Sequence, residues 1–394
     1  VAEHTRGRVL IAGGGVGGLA AALAARRAGA EPVVVERSTE PTRSAGTAFN
    51  LWGNAITALE RIGLRDAVLA VGDPIERMCL SDHRGHPIGE TPIGKIGAGL
   101  GTASVNIRRA DLVGILAEAC RDAGIPLRLG AACTGYTPAL GGGVTAHLAD
   151  GATEHGDVLI GADGARSAVR QVLLGDGDPV ESSHPIRGIG RIAPGVQPNT
   201  VSMAWGPRGG GVGCWPLGGD AVSWTVGTTS ALRARIAGGT PVKDAVLAFL
   251  ADFPEHFTAL VRSTPESAIV TSPVLVRPEA GQRGVGPVTL LGDAAHAMPT
   301  VFAQGACQAL EDAAVLGEEI ARTPDLVSAL RAYEARREAR VAWLRKRVFT
   351  MDRLQKVENR LLCKVRNTFT RKAPAEKSEQ GWRAMMTFDL APAG

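Results

Sequence analysis

Residues 8–36 constrain the fold more than any other stretch of the chain. Arg8-Val-Leu-Ile-Ala12 reads as a short buried strand, and Gly13-Gly-Gly-Val-Gly-Gly18 follows, with a helix-forming run from Leu19 to Ala28. Glu31-Pro-Val-Val-Val-Glu36 then reads as a second strand ending in an acid, 18 residues beyond Gly18. Each part of this strand–GxGxxG–helix–strand–Glu array has a physical use. Gly13 makes the tight turn, Gly15 lets backbone approach a pyrophosphate, and Gly18 allows close helix–strand packing. The helix N-terminus offers unpaired N–H groups and a positive dipole end, and Glu36 accepts from ribose hydroxyls. The array predicts a dinucleotide site, with Val16, Gly17 and Arg37 as its neighbours.

The length fits two domains, or one large α/β domain with an inserted second layer. The chain has 394 residues, 45% of them hydrophobic, which is ample for a core. Glycine is 51 of 394 with no collagen-like period, so the excess belongs in turns and ligand-facing loops. Only Tyr136 and Tyr333 are tyrosines, which argues against a tyrosine-lined pocket. Between Arg331 and Lys372 there are 14 Lys/Arg and 4 Asp/Glu, a net +10; the whole chain is +4, so the remainder carries −6. No aromatic-interleaved basic module accompanies this charge, so nucleic acid is not expected as a partner. The basic stretch reads as a solvated helical face. The six cysteines show no CxxC pair and the histidines no metal-ligand spacing, so no metal site is predicted. A polar N-terminus and the lack of long apolar runs predict a cytoplasmic protein without a membrane partner.

Further along, Asn54 to Arg61 and the stretch opening at Arg108-Arg109-Ala-Asp-Leu112 read as helices, and Met78 to Thr102 as irregular strands. From Ser182 to Val276 the pattern changes to strands at Gly188–Ile192, Val201–Trp205, Val212–Pro216 and Ala221–Thr225, with one helix, Val242 to Ala251. This predicts a largely antiparallel layer inserted into the α/β body. Two further motifs flank it. One is the strand ending in Asp163-Gly164 within Gly156 to Arg170. The other is Val288-Thr-Leu-Leu-Gly-Asp-Ala-Ala-His-Ala-Met-Pro299, followed by Ala303-Gln-Gly-Ala-Cys-Gln-Ala-Leu-Glu-Asp312. There a strand delivers Asp293 to its C-terminal end, where open α/β sheets bind ligands, and a helix starts near Gln304–Gly305.

These three motifs, in this order and spacing, resemble the class A flavin-dependent monooxygenases, which have the 4-hydroxybenzoate hydroxylase fold. The branch with urate, salicylate and 3-hydroxybenzoate hydroxylases and zeaxanthin epoxidase looks most similar, partly through Leu330-Arg-Ala-Tyr-Glu-Ala-Arg-Arg-Glu-Ala-Arg340. The resemblance implies a Rossmann-like FAD-binding domain (1–75, 103–177 and 277–325), an inserted β-sheet substrate domain (76–102 and 178–276) and a C-terminal helical segment (326–394). It also implies that Gly13, Gly15, Gly18 and Glu36 hold the ADP half of FAD, and that Arg109 reaches the ribityl–pyrophosphate region. Cys133 would present a backbone group to the adenine, Asp163-Gly164 would meet FAD and NAD(P)H, and Gly292-Asp293 the ribityl chain. Gln304, Gly305 and Ala306 would lie at the flavin. The family's glycine before Gln-Gly is Ala303 here, a Cβ beside the flavin's reactive edge, and an often-Asn position is Cys307, expected to be buried packing. His296 and Asp312 are expected to be structural.

The implied reaction is hydroxylation or epoxidation of an electron-rich aromatic, with FAD, NADH or NADPH as a transient co-substrate, and O2 activated as a C4a-hydroperoxide. No second nucleotide fold is present for the pyridine nucleotide. Candidate pocket residues are Arg187, Met203, Trp205, Trp215, Trp224, Pro299 and Ala303, with Trp52 on the flavin side. Arg187 and Arg191, four apart, share a strand face. Gly211 stands where urate-type enzymes have an arginine, which argues against urate. Much Gly and Trp with little Tyr points to a bulky, mainly apolar, polycyclic substrate, taken by a monomer or homodimer in secondary metabolism. An oxidase or dehydrogenase on the same fold, and a membrane-surface epoxidase whose basic tail grips anionic lipid, are the alternatives. A halogenase is disfavoured because its Trp-x-Trp-x-Ile signature is absent.

Overall fold

A computed structural model describes residues 6–40, 48–139, 141–279 and 281–389. The body is built on a six-stranded sheet in the order Gly284–Val285, Val288–Leu290, Val158–Gly161, Arg8–Ala12, Glu31–Glu36, Leu127–Leu129. All pairings are parallel except the short hairpin of the first two strands. Parallel strands are covered on both faces, and the Arg8–Ala12 strand divides accordingly. Val9 and Ile11 join the larger core under the Val16–Arg27 and Gly305–Arg322 helices, while Leu10 and Ala12 join a smaller core beneath a three-stranded sheet, 133–156.

The Val16–Arg27 and Gly305–Arg322 helices cross in close contact. A Cβ on Gly17 would lie 2.7 Å from Leu291 and 3.1 Å from Ala309, and one on Gly317 2.7 Å from Ala24. Small residues at these points let the backbones approach, so the two helices that face the candidate ligand cleft are held as one unit.

The second layer is a seven-stranded sheet in the order Val270–Thr271, Ile186–Arg191, Ala221–Gly227, Gly211–Pro216, Thr200–Trp205, Arg77–Asp82, Pro87–Thr91. It is antiparallel except where Thr200–Trp205 runs parallel to Arg77–Asp82. The stretch read as irregular strands thus supplies two strands and a short helix, Ile93–Ala98. Three helices rather than one accompany the sheet: Ser230–Ala237, Val242–Phe249 and Glu255–Ser263. The last two pack behind it in a separate apolar core with Val212, Val222 and Trp224. Three helices, Leu326–Gln355, Arg360–Lys372 and Ala375–Met386, complete the described chain.

Candidate flavin and substrate site

The motif glycines divide their work. Gly13 has φ +110°, and a Cβ there would meet Ala162 O at 2.3 Å; a Cβ on Gly18 would fall 1.8 Å from Gly13 O. Both positions are closed by backbone. Gly15 has nothing within 4 Å of its Cβ position. The Leu19 amide is bonded to Gly15 O at 3.0 Å. The N–H groups of Val16, Gly17 and Gly18 ahead of it belong to the first turn, which has no helical acceptors. Open ground at Gly15 over these donors is a cradle for an anion. Glu36 borders it, its carboxylate accepting the Gly14 amide at 2.6 Å and the Ser38 amide at 2.7 Å. Arg37 is exposed beside it. A recess of about 210 Å³ opens next to Glu36, walled by Gly14, Val34, Leu127 and Leu129.

Asp163 lies after the neighbouring strand, its Oδ2 accepting the amides of Ala168 (2.8 Å) and Val169 (3.3 Å). Its Oδ1 is buried with no partner among the described residues. Burial raises this carboxyl above the usual range despite those hydrogen bonds. Gly164 turns at φ +82° with open space around it. Cys133 begins the adjoining Cys133–Pro138 strand, its thiol pushed up to about 11 by burial.

Asp293 starts the one-turn helix Asp293–His296, behind Gly292 at φ +62°. The residue is exposed to solvent, yet protein crowds around its carboxyl. That desolvation raises its carboxyl, with His296 and Arg109 opposing and Asp312 adding to the rise. Gly305, the first residue of its helix, sits against it, since a Cβ there would lie 3.8 Å from Asp293 Oδ1. Ala303 adopts φ +50° with its Cβ in place, a strain of about 1 kcal/mol. Pro299 is buried in the loop before it, and Ala306 is half-buried in the first turn of the helix. Gln304 is buried, with Oε1 bonded by Asn54 (3.0 Å) and Gln308 (3.1 Å) and Nε2 unpartnered. Trp52 Nε1 donates to Phe302 O at 2.8 Å, fixing the same turn from the other side.

A buried ion network underlies this turn. Arg337 donates to Asp312, Glu311 and Gln308, each at 2.7 Å, and Arg340 to Glu311 at 3.0 Å. Asp312 also accepts the Gly292 amide (2.9 Å) and His296 Nε2 (2.6 Å). Glu311 accepts Asn54 Nδ2 at 2.5 Å. Burial alone would raise both carboxyls. The His296 and Arg337 charges hold Asp312 well below the usual carboxylate range, and Arg340 and Arg337 hold Glu311 low. His296 and Asp312 are both buried and bonded to each other behind the turn. Cys307 is fully buried, and that burial pushes its thiol up to about 12. The basic stretch is not wholly a solvated face: Arg337, Arg340, Arg345 and Arg366 are buried. Arg337 and Arg340 are buried because the acid pair on the Gly305–Arg322 helix cannot stay ionised in a core without them, whereas Arg345 donates to the carbonyls of His296, Ala297 and Arg277 and Arg366 to that of Leu354. Asn54, Glu311, Arg337 and Arg340 were not among the predicted site residues. Their one signal was an acid pair inside an apolar helix, which requires cations from elsewhere.

The seven-stranded sheet presents one face to the body and one to its own helices. Register puts Arg187 opposite Thr225, Thr225 opposite Gly213, Gly213 opposite Met203 and Met203 opposite Leu80. That row lies on the inner face, where Met203 and Trp215 pack against the larger core. Trp205 shares this face with Met203, because residues two apart point the same way. Arg366 covers the Trp205 ring at 4.3 Å. The indole N–H groups of Trp205 and Trp215 are buried without acceptors among the described residues. Arg187 is desolvated, which lowers its pKa, and donates to Ser272 Oγ at 3.0 Å. Among the described residues no carboxylate pairs with it. Arg191, on the same face, is exposed at the sheet's end, 3.8 Å from Asp220. Trp224 is not a pocket residue. It points to the opposite face, into the helix-covered core, with Nε1 bonded to Thr264 Oγ1 at 2.8 Å. Tyr136 packs under the three-stranded sheet, and Tyr333 is buried with its hydroxyl on Leu290 O, so neither reaches this wall.

The orphaned buried oxygen of Asp163, the unpartnered Gln304 amide and the open ground at Gly15 are what a dinucleotide with a polar ring edge would satisfy. Comparison with known proteins agrees. A family model described as an FAD binding domain matches residues 6–192 and 279–347. The chain is 33% identical to the aurachin C monooxygenase/isomerase of Stigmatella aurantiaca, over 96% of this chain and 98% of that one. It is 35% identical to 3-hydroxybenzoate 6-hydroxylase 1 of Aquipseudomonas alcaligenes, over 85% and 86%. It is 33% identical to a zeaxanthin epoxidase of Oryza sativa, spanning 86% of this chain but about half (54%) of that one. The fold matches Klebsiella pneumoniae HpxO, solved with FAD and uric acid, at TM-score 0.85 and 24% identity over 96% of both chains. An FAD-binding α/β body carrying a mostly antiparallel substrate-side sheet, matched across almost its whole length by such relatives, places the chain in the class A flavin-dependent monooxygenases, and it is an FAD-dependent oxidoreductase of that family.

Proposed function

We propose that this enzyme uses NADH or NADPH and O2 to hydroxylate or epoxidise a fused-ring, mainly apolar aromatic bearing one anionic or carbonyl oxygen. The observation that carries the reading is the inner sheet face. Met203, Trp215 and Leu80 make an apolar wall, and Gly213, whose Cβ position has no neighbour closer than 3.6 Å, leaves width between Met203 and Trp215. Arg187 is a desolvated cation without a carboxylate, suited to a substrate oxygen that carries charge. The unpaired indole donors of Trp205 and Trp215 take the part that tyrosine hydroxyls would otherwise play. A name built on aurachin C for the relative matching nearly the whole chain makes a similar compound the first candidate to try.

In this reading residues 1–75, 103–177 and 277–325 hold the cofactor, 76–102 and 178–276 the substrate, and 326–394 brace the two. Bound FAD supplies the redox chemistry and the activation of O2. The chain's own residues do the rest. The first-turn amides at Val16–Gly18 and the open Gly15 take the pyrophosphate, and Glu36 lies where ribose hydroxyls can reach it. Asp163 and Asp293 would accept from the cofactor's sugar and ribityl hydroxyls, with Arg109 lowering the Asp293 carboxyl, and the N-terminus of the Gly305–Arg322 helix would offer its positive end to the flavin. Arg187 orients the substrate while Met203 and Trp215 exclude water from the reacting edge. A second reading, an oxidase or dehydrogenase on the same fold, draws on Ala303, which carries a Cβ at φ +50° next to Gln304.

NAD(P)H oxidation by the purified FAD-loaded protein, measured over a panel of fused-ring and single-ring phenols, tests the proposal. Stimulation by the fused-ring compounds with one oxygen atom added to the product is expected. Tight binding and turnover of small benzoates with no response to the larger rings would sink it.

A further inference from the structure

The Arg360–Lys372 helix, RLLCKVRNTFTRK, has five cations and no acid in 13 residues. Its inward side is short: Cys363 and Arg366 are buried, with Arg366 over Trp205 and donating to Leu354 O. Its outward side is not what a solvated helix carries. Leu361, Leu362, Val365 and Phe369 are 68%, 54%, 42% and 73% exposed. At 100° per residue they fall in one apolar stripe, about 100° wide, with Lys364 and Arg360 along one flank beside Arg371, which also donates to Pro87 O at 3.0 Å and lies 4.0 Å from Asp82, and with Lys372 at its C-terminal end. Four adjacent large apolar side chains left in water are unfavourable unless something covers them. None is in the larger or outer core.

We infer that this helix docks the enzyme on the surface of an anionic phospholipid bilayer, with the stripe in the acyl boundary and the cations at the lipid phosphates. Charge complementarity selects this occupant: a helix with five cations and no acid, its apolar stripe flanked on one side and closed at one end by cations, fits a negatively charged interface, and the same helix on a second copy would repel it. The helix lies on the membrane rather than spanning it, since among the described residues no helix is long and apolar enough to cross one. The Trp205–Arg366 contact ties it to the wall of the candidate substrate pocket, so docking holds that pocket close to where apolar compounds dissolve. The inference is independent of which substrate is used.

Flotation of the FAD-loaded protein with phosphatidylcholine vesicles, and with vesicles also containing phosphatidylglycerol, tests it. Co-flotation only with the anionic vesicles, weakened by added salt, is expected. The double variant Leu361→Asp/Phe369→Asp should bind those vesicles about tenfold or more weakly. Its flavin spectrum and melting temperature should not move, because those side chains pack on neither of those cores. Failure of the parent protein to float with anionic vesicles at low salt would overturn the inference. So would light scattering that shows a dimer broken by the same two substitutions, since the stripe would then be buried by a second copy.

Discussion

Replacing Arg337 with methionine tests whether the buried ion network holds the turn at Gly292 and Gln304. Arg337 is fully buried and spends its donors on Asp312, Glu311 and Gln308. Methionine fills much of the volume but strips charge from two buried carboxylates. Arg340 still reaches Glu311 at 3.0 Å, and His296 still reaches Asp312 at 2.6 Å. Removing one partner of a buried pair costs about 3–5 kcal/mol, and the surviving partners put this loss near the lower end, about 3 kcal/mol. At roughly 2 °C per kcal/mol for a large chain, the melting temperature should fall by about 6 °C. The pH dependence has a definite sign. Both carboxyls are held low in the folded protein, so they contribute stability above their unfolded values and lose it as pH falls through the folded ones. The difference between parent and variant should therefore be full at neutral pH and shrink below about pH 4. Thermal melts of apo and FAD-loaded protein across that range read both effects. Because Asp312 accepts the Gly292 amide and Glu311 holds Asn54, FAD retention should weaken as well. A variant that melts within about 1 °C of the parent at neutral pH would refute the reasoning.

Gly15→Ala and Gly18→Ala should separate binding from folding: the first keeps the apo melting temperature and loses FAD affinity in a fluorescence titration, since its Cβ enters open ground. The second should melt several degrees lower even without FAD, because its Cβ would fall 1.8 Å from Gly13 O. Arg187→Gln should raise KM for an anionic substrate about tenfold or more, with FAD affinity unchanged, as expected for loss of a charge-assisted bond of about 1.5–3 kcal/mol. Equal KM values for the two proteins would remove Arg187 from the pocket. In thiol titration with a chromogenic disulfide, the native protein should react at Cys79 and Cys133 alone, and Cys120, Cys214, Cys307 and Cys363 only after unfolding. Rapid reaction of a third thiol would show that the core opens.

The body of the fold was legible because its signals are local. A run such as Val9–Ala12, covered on both faces, and a glycine turn at a helix start are recognisable without knowing what packs on them. The helix at Glu255–Ser263 was missed although Pro254 precedes it and Phe257, Leu260 and Val261 have helical spacing. Ser230–Ala237 buries only Leu232 and has no apolar stripe to read. Trp224 shows a different limit. Alternation tells that Val222, Trp224 and Val226 share a face, but not which face meets the cleft, and that depends on helices that arrive later in the chain. The arginines show a third. Arg337 and Asp312 are 25 residues apart on separate helices, and a lysine–arginine count cannot distinguish a solvated cation from one neutralising a buried acid.

We propose that this fold delivers an oxygen atom from O2 to an aromatic substrate held against the Arg187–Met203 face. Turnover of the FAD-loaded enzyme with NAD(P)H and a fused-ring substrate under isotopically labelled dioxygen tests it directly. The account predicts one labelled oxygen in the product, with NAD(P)H consumed in equal amount. Substrate oxidised without label, with the dioxygen recovered as hydrogen peroxide, would contradict it and make the protein an oxidase.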